Sequence, residues 1–176
     1  MSRLIAVCFF LSSLLLTAPL EAQVVASAER PLFLSGYATA SGAEHELGFG
    51  HALGGGGGFI VEHSPWLALD VRGEILRARV PLHTYIAEAG PRVTRRYGRF
   101  EPYGEGMAGI GHSGYLTTPK RTLSSAWGWT WTVDAGLDFR VSHHLLWRVG
   151  EYSYNHTYAG TGAKAAILNT GVVYRF

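Results

Sequence analysis

The chain has 176 residues, the length of one domain, with 47% apolar residues and a formal charge of +2. The basic residues form no run, so nothing favours a nucleic-acid partner. The one cysteine, Cys8, lies in the apolar N-terminal stretch, so the mature protein has neither a disulfide nor a thiolate metal site.

Arg3 precedes an apolar run over residues 4–17, and "APLEAQ" follows with Ala22 as a small residue before a cut. This pattern predicts a secretory signal peptide over 1–22, then a short periplasmic segment over 23–31. The apolar run falls short of the ~20 residues that a spanning helix needs. No later stretch reads as a transmembrane helix.

From residue 32 onward the pattern predicts eight strands, near 32–40, 52–63, 66–77, 83–94, 99–113, 126–140, 144–155 and 164–176. The clearest is "WGWTWTVDAGLDFRV" (127–141). Its odd positions carry Trp127, Trp129, Trp131, Val133, Ala135, Leu137, Phe139 and Val141, whereas its even positions carry Gly128, Thr130, Thr132, Asp134, Gly136, Asp138 and Arg140. Successive strand side chains point to opposite faces, so this is one strand with an apolar and a polar side. "LALDVRGEI", "TYIAEAGPRV" and "LNTGVVYRF" alternate in the same way.

Short turns are expected at "HSP" (63–65), "RRYG" (95–98) and "VSHH" (141–144). Longer loops are expected at "SGAEHELGFGH", "SGYLTTPKRTLSS" and "HTYAGTG", with a shorter, proline-containing connection at "ARVPL". Short turns alternating with longer loops is the plan of an outer-membrane barrel, turns in the periplasm and loops outside.

A soluble sandwich would bury the tryptophan face, and a membrane barrel would show it to lipid. Lysine favours the barrel: there are only two, Lys120 and Lys164, both in or beside predicted outer loops. Aromatic spacing agrees. From Trp127 to Phe139 is about 40 Å along a strand at ~3.3 Å per residue. A tilt near 40° reduces this to about 30 Å, against an apolar band of ~25 Å flanked by aromatic girdles. The lipid-facing girdle is then Trp127 and Trp129 at the outer interface, Phe139, Trp66 and Trp147 towards the inner one, and Trp131 on the same face between them.

The chain stops at "VVYRF", with Val172, Tyr174 and Phe176 on one face. A terminal aromatic on an alternating last strand resembles the signal by which outer-membrane proteins are recognised for assembly. Together with "GPRV", "FEPYGEGMAG", "DAGLDFRV" and "NTGVVYRF", it makes the mature chain resemble the small eight-stranded outer-membrane β-barrels of the OmpA-like and OmpX-like, porin-type family, barrel domain only. The resemblance implies an all-β, eight-stranded antiparallel up-and-down transmembrane barrel over 32–176 in the outer membrane of a Gram-negative bacterium. The partners it implies are the lipid bilayer, lipopolysaccharide and the outer-membrane assembly machinery.

An eight-stranded barrel is just wide enough for its own side chains to fill. The predicted lumen carries Asp70, Glu74, Glu88, Glu105, Asp134 and Asp138 against Arg72, Arg92, Arg140, Arg148 and Arg175. The signs nearly balance, so an ion-pair network and a non-conducting interior are expected. An excess of one sign would point to a selective pore. Arg148 and Glu151 have opposite parity and cannot both face inward on a regular strand. A bulge at Gly150 would bring both inside; otherwise Glu151 faces outward.

The remaining motifs carry little chemistry. "GGGGG" (54–58) lacks the Gly-Lys-Ser/Thr of a phosphate loop and leads into a strand, so it reads as the opening of a strand with little bulk. His45, His51, His83, His112 and His156 fall at the outer end without metal-motif spacing, and no cofactor or metal is expected. "GHSG" and "YNHTY" offer His112 with Ser113 and His156 with Thr157, but neighbours on a strand face opposite ways, so a catalytic set is not expected. The function read from the sequence is a structural or surface-interaction barrel, with any unknown ligand at the outer loops. A lipid A-modifying, deacylase-like enzyme and a narrow porin are the alternatives.

Overall fold

A computed structural model describes residues 33–45, 51–78, 83–117, 122–159 and 163–176. The expected signal peptide (1–22), the segment 23–31 and Lys120 lie outside the described residues. Eight strands follow in order: β1 (Phe33–His45), β2 (His51–Glu62), β3 (Leu67–Ala78), β4 (His83–Thr94), β5 (Phe100–Thr117), β6 (Thr122–Arg140), β7 (Leu145–Thr157) and β8 (Ala163–Arg175). Each pairs antiparallel with the next, and β8 returns to β1 through pairs such as Gly36↔Tyr174 and Ser41↔Asn169, closing a barrel. Closure matters because lipid satisfies no free N–H or C=O group.

The strands run further at the loop end than the sequence suggested. "SGAEH" was expected to open a loop, yet it continues β1 to His45, with Glu44 paired to His51 on one side and Ala166 on the other. Two ladders satisfying the backbone outweigh the turn preference of Ser-Gly. Most of "SGYLTTPKRTLSS" is likewise strand. β5 and β6 pair as far as Thr117↔Thr122, through tyrosine, leucine and threonine residues that suit extended backbone. Lys164, expected beside a loop, is the second residue of β8.

The other end carries short turns. Those after β2 and β6 share one design: Ser64 and Ser142 each accept the amide of the residue three positions on through Oγ, at 3.0 and 3.1 Å. Gly98, in the turn after β4, has a φ of 61°, a conformation that favours glycine.

The two faces of the wall separate cleanly. Trp127, Trp129, Val133, Leu69, Val71, Ile75, Tyr85, Val93, Leu168 and Val172 are exposed on the outside, with Trp129 at 73%. Thr130, Thr132, Asp134, Asp138, Asp70, Arg72, Glu74, Glu88, Arg92 and Asn169 are buried inside. An exterior this apolar suits lipid and not water.

Two departures from regular pairing matter. The glycines 54–58 are the middle of β2, not its opening. A Cβ on Gly58 would lie 2.1 Å from the Val71 carbonyl oxygen and 2.8 Å from Tyr37 Oη. Glycine there allows close approach of backbone and ring. On β7, Asp138 pairs with Arg148 but Leu137 pairs with Gly150, leaving Val149 over, and the β8 register shifts at the same place. This is a β-bulge, two residues opposing one, and it resets the parity of the strand.

Inside, polar and apolar layers alternate on the β8–β1–β2–β3 side. Tyr37, Ile60, Ala68, Leu146 and Val173 form one apolar cluster towards the short-turn end. Ala43, Ala52, Leu76, Ile86, Ala165 and Ile167 form a second towards the loop end. Along β3 the ionisable residues Asp70, Arg72 and Glu74 lie between Ala68 of the first and Leu76 of the second.

Candidate functional site

The candidate site is the lumen, built around three arginines. Arg72 on β3 meets Asp134 at 3.1 Å, Glu88 at 3.2 Å and Glu151 at 3.3 Å. Arg92 on β4 meets Asp138 at 2.6 Å, Glu105 at 2.8 Å and Asp70 at 3.8 Å. Arg148 on β7 meets Glu151 at 2.9 Å and Asp138 at 3.2 Å. Glu151 and Asp138 each bridge two arginines, so strands on opposite sides of the barrel are tied across its middle.

Two tyrosines complete this network. Tyr103 donates to Glu151 at 2.5 Å, and its ring lies 3.5 Å from the Arg92 guanidinium carbon. Tyr37 donates to Asp70 at 2.8 Å, with Arg148 4.4 Å from its ring centroid. Such stacking is stronger where both groups are desolvated. Tyr103 has room because it crosses Gly136, where a Cβ would lie 2.4 Å from the ring. A hydroxyl and amide layer sits towards the loop end. Glu88 Oε1 accepts from Thr132 at 2.6 Å, while Asn155 donates to Thr130 and Thr132 at 2.8 Å each.

The sign balance differs from the expectation. Among the described residues, the acids enclosed in the middle of the lumen are Asp70, Glu74, Glu88, Glu105, Asp134, Asp138 and Glu151, with Glu101 buried nearer the short-turn mouth, and the enclosed bases are Arg72, Arg92 and Arg148. The expected near-balance counted Arg140 and Arg175, whose side chains are 33% and 16% exposed at the short-turn rim. Arg140 stands two residues beyond Asp138 and Arg175 two beyond the buried Val173, and their ion pairs are with Glu101 and Glu62 at the rim. The count also omitted Glu151, which the bulge brings inside. Glu74 is the least supported member: buried, and among the described residues neither carboxylate oxygen has a hydrogen bond or an ion pair within 4.0 Å.

A second cluster closes the short-turn mouth. Arg175 meets Glu62 at 3.0 Å and Glu101 at 3.2 Å, Arg96 meets Glu62 at 2.7 Å, and Arg140 pairs with Glu101. Burial works against the Arg96 charge, but its hydrogen bond to Glu62 and the nearby carboxylates outweigh that and raise its pKa.

The other predicted residues fall as follows. Trp66, Trp127, Trp129 and Trp147 are exposed on the outer wall. Trp131 is half-buried against Tyr154 and His156, and Phe139 packs on Phe100. Val172, Tyr174 and Phe176 face outward together, and the Phe176 amide donates to the Leu34 carbonyl at 3.0 Å. His112 lies outside with His83 and Trp127, its ring centroid 4.9 Å from that of Trp127. Ser113 is inside beside Thr84, so His112 and Ser113 do not meet. His45 and His51 lie at the loop end of β1 and β2. Among the described residues no group of three or more histidine or acidic side chains is placed to hold a metal.

Sequence reasoning missed Tyr37, Tyr103, Glu62 and Glu101. Glu101 and Tyr103 share the parity of Glu105, a usable signal. Tyr37 carried none, because tyrosine suits either face of a barrel.

No family model matches the chain, nor does any curated protein. Solved structures do. Neisserial surface protein A superposes with a TM-score of 0.64 at 15% identity, covering 82% of this chain and 97% of that one. Ail, the attachment invasion locus protein of Yersinia pestis, superposes at 0.55 with 18% identity, covering 82% and 97%. The N-terminal barrel domain of OprF from Pseudomonas aeruginosa gives 0.51 at 18% identity, covering 81% and 97%. The shared fold is the small eight-stranded outer-membrane barrel, and with this apolar exterior it places the protein in the outer membrane.

Proposed function

We propose that this protein is a non-conducting outer-membrane barrel with a structural or surface-interaction role, exported by the leader over 1–22 and inserted by the assembly machinery. The observation that carries the reading is the filled lumen: three arginines, seven acids and two tyrosines occupy the space a solute would need. A rigid wall of this kind leaves the outer loops as the variable part, free to contact surface ligands, and lipopolysaccharide as the surrounding lipid. That one structural neighbour is named for attachment fits the reading.

The ring neighbours of His112 on the outer wall are His83, Tyr85 and Trp127, none of them a serine. Incubating the purified protein with lipopolysaccharide and weighing lipid A by mass spectrometry tests this. Unchanged lipid A is expected, and loss of an acyl chain would establish the enzyme reading instead. One observation favours a second reading, a narrow cation-selective pore: the enclosed acids outnumber the enclosed bases.

A further inference from the structure

The turn between β4 and β5, "RRYGR" at residues 95–99, holds three arginines of unlike fate. Arg96 turns into the mouth and pairs with Glu62 and Glu101. Those two acids also take Arg140 and Arg175. Arg95 and Arg99 have no carboxylate within 4.0 Å among the described residues.

The Arg95 side chain and the Arg99 backbone are nevertheless held in place. The Arg95 guanidinium carbon lies 5.2 Å from the centroid of the Tyr97 ring. Tyr97 and Phe100 exchange two backbone hydrogen bonds, at 2.7 and 3.0 Å, and the Arg99 carbonyl accepts the Arg140 amide at 2.7 Å. Tyr97 and Phe100 are each about half exposed, and Phe100 packs on Phe139 in the aromatic edge of the outer wall. In a bilayer such an edge marks the hydrocarbon boundary. Two unpaired guanidiniums just beyond it stand at the height of the lipid headgroups. The anion at that height is a phosphodiester, and guanidinium binds phosphate oxygens bidentately.

We propose that this turn binds the phosphate of an anionic phospholipid in the leaflet at the short-turn end. The assignment rests on the proposed function in one respect, that the barrel stands in a bilayer with this end towards the periplasm. Phospholipid is favoured over a soluble anion because Arg95 lies against the exposed Tyr97 ring and Arg99 directly precedes Phe100 of the lipid-facing aromatic edge.

The test is to reconstitute the wild-type barrel and the Arg95→Gln/Arg99→Gln double variant in nanodiscs of mixed phosphatidylcholine and phosphatidylglycerol. The lipids that remain bound on ejection are then counted by native mass spectrometry. Neither arginine makes an ion pair, so the double variant folds, which a heat-modifiability gel confirms independently. Enrichment of phosphatidylglycerol on the wild type is expected, roughly fivefold for each arginine, with loss of that enrichment in the double variant. Equal retention by both proteins would overturn the proposal, as would displacement of the lipid by millimolar inorganic phosphate. Failure of the wild type to enter the bilayer at all would contradict the proposed function instead.

Discussion

Arg148 and Glu151 form a 2.9 Å ion pair inside the lumen although they stand three positions apart on one strand. On a regular strand that spacing puts them on opposite faces. The bulge at Val149 and Gly150 removes the conflict, and it decides the electrostatics, because Glu151 then reaches Arg72, Tyr103 and Asn169 as well.

Deletion variants separate this account from one based on glycine flexibility. Removing Gly150 restores unbroken alternation, so Arg148 and Glu151 both stay inside and the barrel folds. Removing Tyr152 turns either Glu151 or the residues beyond it to the wrong face, and breaking the buried pairs costs about 3–5 kcal/mol. A Cβ at Gly150 would meet nothing within 4 Å, so Gly150→Ala is expected to be near neutral. Urea unfolding in detergent micelles reads all three. Equal damage from the two deletions would contradict the parity argument.

Charge placement yields a prediction with two signs. Glu74 is buried without a hydrogen bond, so Glu74→Gln is expected to stabilise the barrel by about 1 kcal/mol. Arg148 is 1% exposed and one of three enclosed cations, so Arg148→Ala is expected to cost several kcal/mol through the acids it leaves behind. Unfolding midpoints in lipid vesicles compare the two. Destabilisation by Glu74→Gln would mean that the carboxylate has a partner after all.

Ala135 points outward from β6, opposite Gly104 and Tyr152. Ala135→Arg puts a charge into hydrocarbon at about 2–4 kcal/mol near the midplane, whereas Ala135→Leu adds only apolar surface. Folding yields into vesicles should fall for arginine and hold for leucine. Equal yields would place this face in water.

Much of this was legible in the sequence, for a physical reason. Strand alternation has a period of two, so Asp70, Arg72 and Glu74 had to share a face opposite Leu69, Val71 and Ile75. The loop end was less legible, because residues such as Tyr115, Leu116 and Thr117 suit extended backbone, but the glycine, proline and serine around them signal a turn, and only pairing with the partner strand decides between the two. Charge balance misled for a similar reason. Arg140 and Arg175 have lumen parity, but parity says nothing of height, and both stand at the rim.

The Phe176 ring is exposed while its backbone closes the β8–β1 seam. Phe176→Ser keeps the backbone hydrogen bond to Leu34 and loses the edge contact with the Tyr174 ring, so stability of the purified barrel should change by only about 1 kcal/mol. Assembly in cells should nonetheless drop, read as less folded protein in outer-membrane fractions. Normal assembly would show that the terminal aromatic is not read by the assembly machinery.

The central claim, that enclosed side chains fill the lumen, is tested most directly by single-channel recording of the purified wild-type monomer in planar bilayers. A silent membrane is expected, with no steps above the baseline. A stable cation-selective conductance would contradict it and assign the excess of enclosed acids to a pore.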